Sequence, residues 1–168
     1  MDTGKIHQRE NELIELTFRE LSKIDSLHIL ASDITDRLGV FSFYVDNVHH
    51  NLFTSLLNDH FGIQVRGGCS CAGTYGHFLL NVDMKMSKEI TDRIDAGDLS
   101  MKPGWIRLSL HPTMTNDELL YITESIRETV ENAEKWKKDY CYDIHTNEFS
   151  HFKSSKLDTR YSDWFKLV

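Results

Sequence analysis

The spacing of apolar residues along the chain predicts two long helices and one short helix. Apolar residues recur at three- and four-residue steps over residues 5–23 and again over residues 115–138, the period of a helix that covers a core with one face. The second stretch opens with Thr-Asn-Asp-Glu, a capping box in which the threonine and the glutamate each satisfy a free backbone amide. A shorter apolar face over residues 49–60 stops at Gly62, a residue suited to closing a helix in the left-handed conformation.

Short runs of β-branched, aromatic and other apolar residues predict the strands. These runs cover residues 27–30, 40–45, 63–66 and 104–110. The last one alternates, with Trp105, Arg107 and Ser109 on one face and Ile106, Leu108 and Leu110 on the other. We therefore expect an α+β fold, in which a three- to four-stranded, mainly antiparallel sheet packs against the two long helices and the short one.

Two stretches of the chain lack a strong pattern. Residues 81–103 are polar and predict a surface excursion with a weak helix that Ser87 would cap. Residues 140–168 are aromatic but aperiodic, which predicts a C-terminal tail. The chain is thus expected to divide into a domain of residues 1–139 and a tail of residues 140–168.

Composition and charge narrow the classes of partner and compartment. Of the 168 residues, 40% are hydrophobic, and 26 acidic against 19 basic residues give a net charge of -7. This charge repels a phosphate backbone, so nucleic acid is not an expected partner. No apolar run approaches the roughly 20 residues that span a bilayer, and the N-terminus lacks the apolar stretch of a secretory signal. We expect a cytoplasmic protein with no membrane contact, whose few cysteines are free thiols.

The predicted third strand runs into a glycine loop that carries cysteines. Gly67 and Gly68 precede Cys69 and Cys71, and loops at the ends of strands often carry chemistry. Taken alone, each cysteine is a buried inert thiol, a metal ligand or a nucleophile. Cys69 is open to three interpretations: a bystander, the second thiol of a redox pair, or half of a metal site. Arg107, a single arginine in an apolar strand, needs an anionic partner or solvent.

Four motifs, in order along the chain, carry a resemblance to a known family. They are FSF at 41–43, VHH at 48–50, GIQVRGGCSCAG at 62–73 and KPGWIRLSL at 102–110, the last followed by the capped helix. Together they resemble the C-terminal small domain of class V aminotransferases. These are fold type I pyridoxal phosphate enzymes that include cysteine desulfurases and selenocysteine lyases. The resemblance covers residues 6–132.

The resemblance implies a role for each motif residue. In the cysteine desulfurase branch, an Arg-x-Gly-x-x-Cys loop carries the cysteine that attacks the substrate sulfur and holds it as a persulfide. Arg66, Gly68 and Cys71 match those positions. Arg107 matches the arginine that clamps the α-carboxylate of the substrate in a fork-to-fork pair. Cys71 is thus the expected catalytic residue, Arg107 and Arg66 the substrate-binding residues, and Gly67 and Gly68 the flexible part of the loop.

The same resemblance implies that the chain is part of a larger enzyme. Family members carry a large domain with the lysine that holds pyridoxal phosphate, and no His-Lys pair of the family type occurs in this sequence. We expect the cofactor and its lysine to belong to a domain absent from this chain, which would be inactive alone, as a split-gene product or a truncation. The expected partners are an amino-acid substrate and the missing large domain or a second subunit, with a homodimer in the complete enzyme. Surplus apolar residues in the first helix and the tail predict self-association.

Other functions stay open from the sequence. In a transaminase or an epimerase, Cys71 would be structural. The chain is alternatively a non-catalytic interaction domain descended from the enzyme. A small thiol- or metal-binding module would use Cys69, Cys71, Cys141 and a histidine, although structural zinc sites usually show two closely spaced pairs of ligands, and we assign no metal site. His49 and His50 align with a histidine-bearing turn of the family, and the alternative is an ordinary histidine at a helix start.

Overall fold

The structure is a computed structural model that describes residues 2–69 and 73–153. Its helices are α1 (Thr3–Leu21), α2 (His50–Phe61), α3 (Gly73–Leu79), α4 (Met84–Asp95) and α5 (Asn116–Trp136), the last followed by a 3-10 turn (Lys137–Asp139). Its strands are β1 (Leu27–Ile29), β2 (Val40–Val45), β3 (Arg66–Gly68), β4 (Trp105–Ser109), β5 (Tyr140–Asp143) and β6 (Glu148–His151). The prediction of an α+β fold is confirmed. Of the helices in the described ranges, none has both the length and the apolar character needed to cross a membrane.

The main sheet has four antiparallel strands in the order β1-β2-β4-β3. Its register pairs Phe43 with Ile106 and Ser42 with Arg107 on β2 and β4, and Arg66 with Arg107 on β3 and β4. Because side chains alternate along a strand, Phe43 and Ile106 project toward one face while Ser42, Arg66 and Arg107 project toward the other. The glycine strand β3 is therefore an edge strand that presents an arginine beside Arg107.

One face of this sheet and helices α1, α2 and α5 enclose the core. The sheet contributes Phe41, Phe43 and Ile106, and the helices contribute Phe53 and Ile126, all with no exposed surface. Burying a side chain of this size stabilises the fold by about 1.5–3 kcal/mol. The predicted apolar faces of the three helices are the ones that are buried.

The helix ends agree with the sequence signals. The capping box at the start of α5 is formed, with the Glu118 amide donating to the Thr115 hydroxyl oxygen at 3.2 Å and the Thr115 amide donating to the Glu118 carboxylate at 2.7 Å. Gly62 closes α2 in the left-handed conformation, at a φ of 69°. Both signals therefore position their helices as predicted.

Five elements differ from the expectations. Strand β3 begins at Arg66 rather than at residue 63, because its glycines let the backbone lie close against α2 while Val65 packs at the edge of the core. Helix α3 was not predicted, and α4 begins earlier than Ser87 because Asp83 caps it by accepting from the Met86 amide at 2.7 Å. Residues 140–151, predicted as part of an aperiodic tail, form a two-stranded hairpin of β5 and β6.

Candidate functional site

The glycine strand brings several of the predicted site residues to one edge of the sheet. Arg66 lies directly across from Arg107, and Gly68 lies across from Trp105. A Cβ atom on Gly67 would lie 2.6 Å from Oδ1 of Asn51, closer than packed atoms allow. Gly68 has a φ of 110°, a conformation that side chains rarely adopt. Gly67 is therefore favoured by the α2 side chains packed against it, and Gly68 by its own backbone conformation.

A cleft of about 300 Å³ lies beside this strand, and we call it the glycine cleft. It is bounded by the start of α2, the edge of β3, the segment that leads into β4 and the turn of the hairpin. Its lining includes His50, Asn51, Arg66, Lys102, Thr146 and Asn147, together with the glycines and Cys69. The described lining residues include two permanent cations and no carboxylate, so the cleft favours an anionic or polar ligand.

Arg107 is placed beside Arg66 and not among the residues that line the glycine cleft. Its side chain is half-buried, and its Nε atom is buried with no hydrogen-bond partner in the part of the chain that the structure describes. Like charges directly opposite each other on neighbouring strands destabilise a sheet. A carboxylate between Arg66 and Arg107 would satisfy the guanidinium and relieve this repulsion.

Two stacked histidines lie at the start of α2, with His50 lining the glycine cleft and His49 packed against the hairpin. His49 caps α2, since its Nδ1 accepts from the Asn51 amide at 3.1 Å, and its ring stacks on His50 at 4.2 Å. Burial lowers the pKa of His50 to about 4, and the charges of His49 and Lys102 add to this effect. Burial also lowers the pKa of His49, with Asn147 opposing the shift. Near neutral pH both rings are therefore uncharged and serve as packing and capping groups.

Two of the three cysteines lie within the described residues. Cys69 is half-buried at the glycine cleft, and Cys141 is exposed on β5. Cys71, the expected nucleophile, lies outside the described residues. Across residues 2–69 and 73–153, no group of three or more His, Cys, Asp and Glu side chains is arranged to hold a metal ion.

Sequence reasoning missed the polar residues that close the glycine cleft. Asn51, Thr146 and Asn147 line it, but none belongs to a motif that marks a site. Asn147 was detectable in part, because asparagine favours the left-handed conformation that it adopts here, with a φ of 60°. That signal predicts a turn, but it does not predict which cleft the turn would reach.

Comparison with known proteins confirms the family resemblance found in the sequence. A family model described as aminotransferase class-V matches residues 1–122. A probable cysteine desulfurase of Staphylococcus epidermidis is 37% identical over 68 residues, and one of Halobacterium salinarum is 34% identical over 71 residues. These matches cover 40% and 42% of this chain and 16% of each relative.

The chain is also similar in fold to a solved structure. The cysteine desulfurase of Thermococcus onnurineus NA1 superposes with a TM-score of 0.53 at 24% identity, over 77% of this chain and 27% of that one. This similarity concerns the fold alone. The matched segment thus spans about a sixth of the length of the curated relatives and about a quarter of the solved structure.

Proposed function

The chain belongs to the aminotransferase class-V family, and from this membership we propose that it is the substrate-binding small domain of a pyridoxal phosphate-dependent enzyme. The length comparison supports a domain rather than a whole enzyme, because the chain covers 27% of the solved desulfurase. In this proposal the chain is inactive alone and acts on an amino acid when joined to its large domain. Its compartment is the reducing cytoplasm, where thiols stay free.

The observation that carries this proposal is the pair of arginines on β3 and β4. Arg66 and Arg107 lie opposite each other on neighbouring strands, and the buried Nε atom of Arg107 has no hydrogen-bond partner among the described residues. An α-carboxylate provides two oxygens to a guanidinium fork, and we assign its binding to Arg107. The role of Arg107 is thus to fix one end of the amino acid, so that the reacting end is held in one orientation.

The described residues do not fit the anchoring of pyridoxal phosphate. In the family the cofactor is held by a lysine that follows a histidine, whereas the described lysine at the glycine cleft, Lys102, is an exposed residue on the segment before β4. We therefore assign the cofactor to the large domain. When bound there, it supplies an acceptor for electrons released at the substrate carbon.

The sharper form of the proposal is a cysteine desulfurase. Cys71 would attack the substrate sulfur as a thiolate, which forms an S–S bond to the enzyme and breaks the C–S bond of the substrate, whose electron pair stays with the substrate carbon. Arg66 supports this role, since a guanidinium on the strand that leads into the loop favours the thiolate. The product on the enzyme is a persulfide.

An apolar surface beside Arg107 supports a docked large domain. Ile34, Leu38, Val40 and Tyr75 form what we call the open apolar face, and each exposes between 39% and 73% of its surface. They line a groove of about 400 Å³ that also contains Ser42, the cross-strand neighbour of Arg107. An apolar surface next to the substrate arginine is the place where a second domain would close the site.

The test uses the complete enzyme, in which this chain is combined with its large domain. We expect Arg107→Lys to raise KM for the amino acid by about tenfold or more, because lysine keeps the charge and loses the fork. We expect Cys71→Ala to abolish sulfide release from cysteine while substrate binding persists. Cys141→Ala, on an exposed strand of the hairpin, is the matched control.

Each result has a distinct meaning. An unchanged KM in Arg107→Lys would overturn the substrate-binding role and with it the proposed domain function. Full sulfide release by Cys71→Ala would overturn the desulfurase form alone, and would leave a transaminase or an epimerase in which this cysteine is structural.

A further inference from the structure

The hairpin of β5 and β6 is fixed to the body of the domain at several points. The Tyr140 hydroxyl donates to Oδ2 of Asp59 at 2.7 Å, and the Ser55 hydroxyl donates to the carbonyl of Phe149 at 3.4 Å. On the other side, the Leu99 amide donates to the carbonyl of Ile144 at 2.9 Å. The hairpin lies beyond residues 1–122, the part that matches the family model. Its hydrogen bonds hold it against α2 and against the segment that leads into β4.

The turn of the hairpin reaches the glycine cleft through Asn147. This residue is buried, with 7% of its surface exposed. Its side-chain Oδ1 accepts from the Tyr142 hydroxyl at 2.8 Å, and its carbonyl accepts from Nδ2 of Asn51 at 2.5 Å. The position of Asn147 is thus set from within the hairpin, and its carbonyl is presented to α2.

Asn51 connects this carbonyl to the glycine strand. Its Nδ2 atom is committed to Asn147, so its Oδ1 atom points away, and Oδ1 is the atom that a Cβ on Gly67 would meet at 2.6 Å. A rotation of the amide would either break the hydrogen bond or press on the backbone of Gly67. One side chain therefore lies between the hairpin and the strand that continues into Cys69.

We propose that Asn51 is a positioning residue, through which the hairpin holds Gly67 and fixes the start of the cysteine-bearing loop. The proposal deepens the function proposed above, on which its catalytic meaning rests, because the same loop carries the cysteine assigned to sulfur transfer. It makes the hairpin a part of the site and not a dispensable extension. In the complete enzyme, loss of this link would lower kcat for sulfur transfer and leave KM for the amino acid unchanged.

The test compares Asn51→Ala, Asn51→Asp and a control, Asn11→Ala, on the full chain. Asparagine to aspartate keeps the shape and removes the donor, so the carboxylate cannot bond the Asn147 carbonyl. Asn11 is an exposed asparagine on α1, away from the hairpin anchors, and its amide bonds the ring of His7. Two readouts are followed: the amide resonances of Gly67 and Gly68 in a proton–nitrogen correlation spectrum, and the alkylation rate of each cysteine by peptide mass spectrometry.

We expect both Asn51 variants to shift the two glycine resonances and to speed alkylation at Cys69 and Cys71 about threefold or more, the size expected for loss of one hydrogen bond. Cys141 and the control variant should be unchanged. Glycine resonances and alkylation rates equal to those of the parent in Asn51→Asp would overturn the proposal. If Asn51→Ala fails to fold, two separate variants test the proposal: Asn51→Asp, and Tyr142→Phe, in which the Asn147 side chain loses its hydrogen bond from the tyrosine hydroxyl.

These readouts are independent of enzymatic activity. A chain in which Cys71→Ala keeps full sulfide release would contradict the desulfurase proposal, yet it would still show the coupling between Asn51 and the glycine strand. Unchanged resonances in a working desulfurase would contradict the coupling alone.

Discussion

Gly104, the residue directly before β4, has its backbone packed closely against the buried ring of His50. A Cβ atom there would lie 2.6 Å from Cε1 and 2.7 Å from Nε2 of His50, whose ring is itself buried. We expect Gly104→Ala to destabilise the fold by about 1–3 kcal/mol, the usual cost of overpacking. Urea unfolding, followed by circular dichroism, measures this change.

A second glycine provides the control for this prediction. A Cβ atom on Gly4 would lie 3.3 Å from Oδ1 of Asp2, the exposed oxygen that caps α1, and a shift of this side chain by a small fraction of its length relieves the contact. Since Gly4 lies in helix α1, Gly4→Ala should be neutral or slightly stabilising. Equal urea midpoints for the Gly104→Ala variant and the parent would show that the His50 ring yields easily.

His50 also gives the fold a defined dependence on pH. Its pKa is lowered to about 4 in the fold, mainly by burial, whereas an unfolded chain has a histidine pKa of about 6.5. The unfolded state therefore binds the additional proton between these values, and stability falls as the pH falls through this window. The expected loss from this residue is about 2 kcal/mol between pH 7.5 and pH 5.

The measurement is the free energy of unfolding at these two pH values. His50→Gln should reduce the difference between them, because the glutamine does not titrate. His7→Gln, at an exposed position on α1, controls for the loss of one histidine. An undiminished pH difference in His50→Gln would mean that other groups account for the acid sensitivity.

Single residues of the site were predictable only where a motif marked them. Arg66 and Arg107 were singled out from the sequence, and the structure places them side by side. Asn51 and Asn147 were not, because their importance arises from a contact between residues 96 positions apart. No local pattern encodes such a contact, which depends on where the hairpin packs.

Among the elements, helix α5 is stabilised by the capping box at its first turn. Thr115 satisfies the Glu118 amide, and Glu118 in turn accepts from the Thr115 amide. We expect Thr115→Ala to cost about 1 kcal/mol of stability and Thr115→Ser to cost much less, because serine keeps the oxygen. Urea midpoints of the two variants give the comparison, and equal losses in both would contradict a capping role.

Elements with strong local signals were predicted closely. Strand β2 has the bounds 40–45 expected from its aromatic and β-branched run, and α2 ends at Phe61, directly before Gly62. Each of these elements buries its own apolar pattern, so sequence and tertiary packing agree.

The hairpin was missed although its pattern was present. Half-buried residues alternate with exposed ones along both strands, and Tyr142 pairs with Phe149 across them at 4.6 Å. Tyrosine and histidine at the half-buried positions obscure this period in the sequence, because their polar groups do not mark a core position. Strand β3 was displaced for a different reason, since glycine gives no periodic signal at all.

At the scale of the whole molecule, the two faces of the sheet are unequal. Helices α1, α2 and α5 cover the face of Phe41 and Phe43, whereas the opposite side includes the open apolar face. Exposed apolar area of this kind favours association with another surface. We therefore expect the isolated chain to self-associate as its concentration rises, which sedimentation velocity would detect.

Substitution at the centre of the open apolar face tests the location of this contact. Leu38 is 73% exposed, and Leu38→Glu should shift the chain toward a monomer by placing a charge on the surface that is buried on association. Met84→Glu is the control, because Met84 is 88% exposed but lies among the charged residues of α4.

If the proposed large domain occupies the same face, adding it should also suppress self-association, and Leu38→Glu should weaken its binding. A parent chain that stays monomeric at every concentration would contradict the self-association, and a Leu38→Glu variant that binds the large domain with unchanged affinity would place that domain elsewhere.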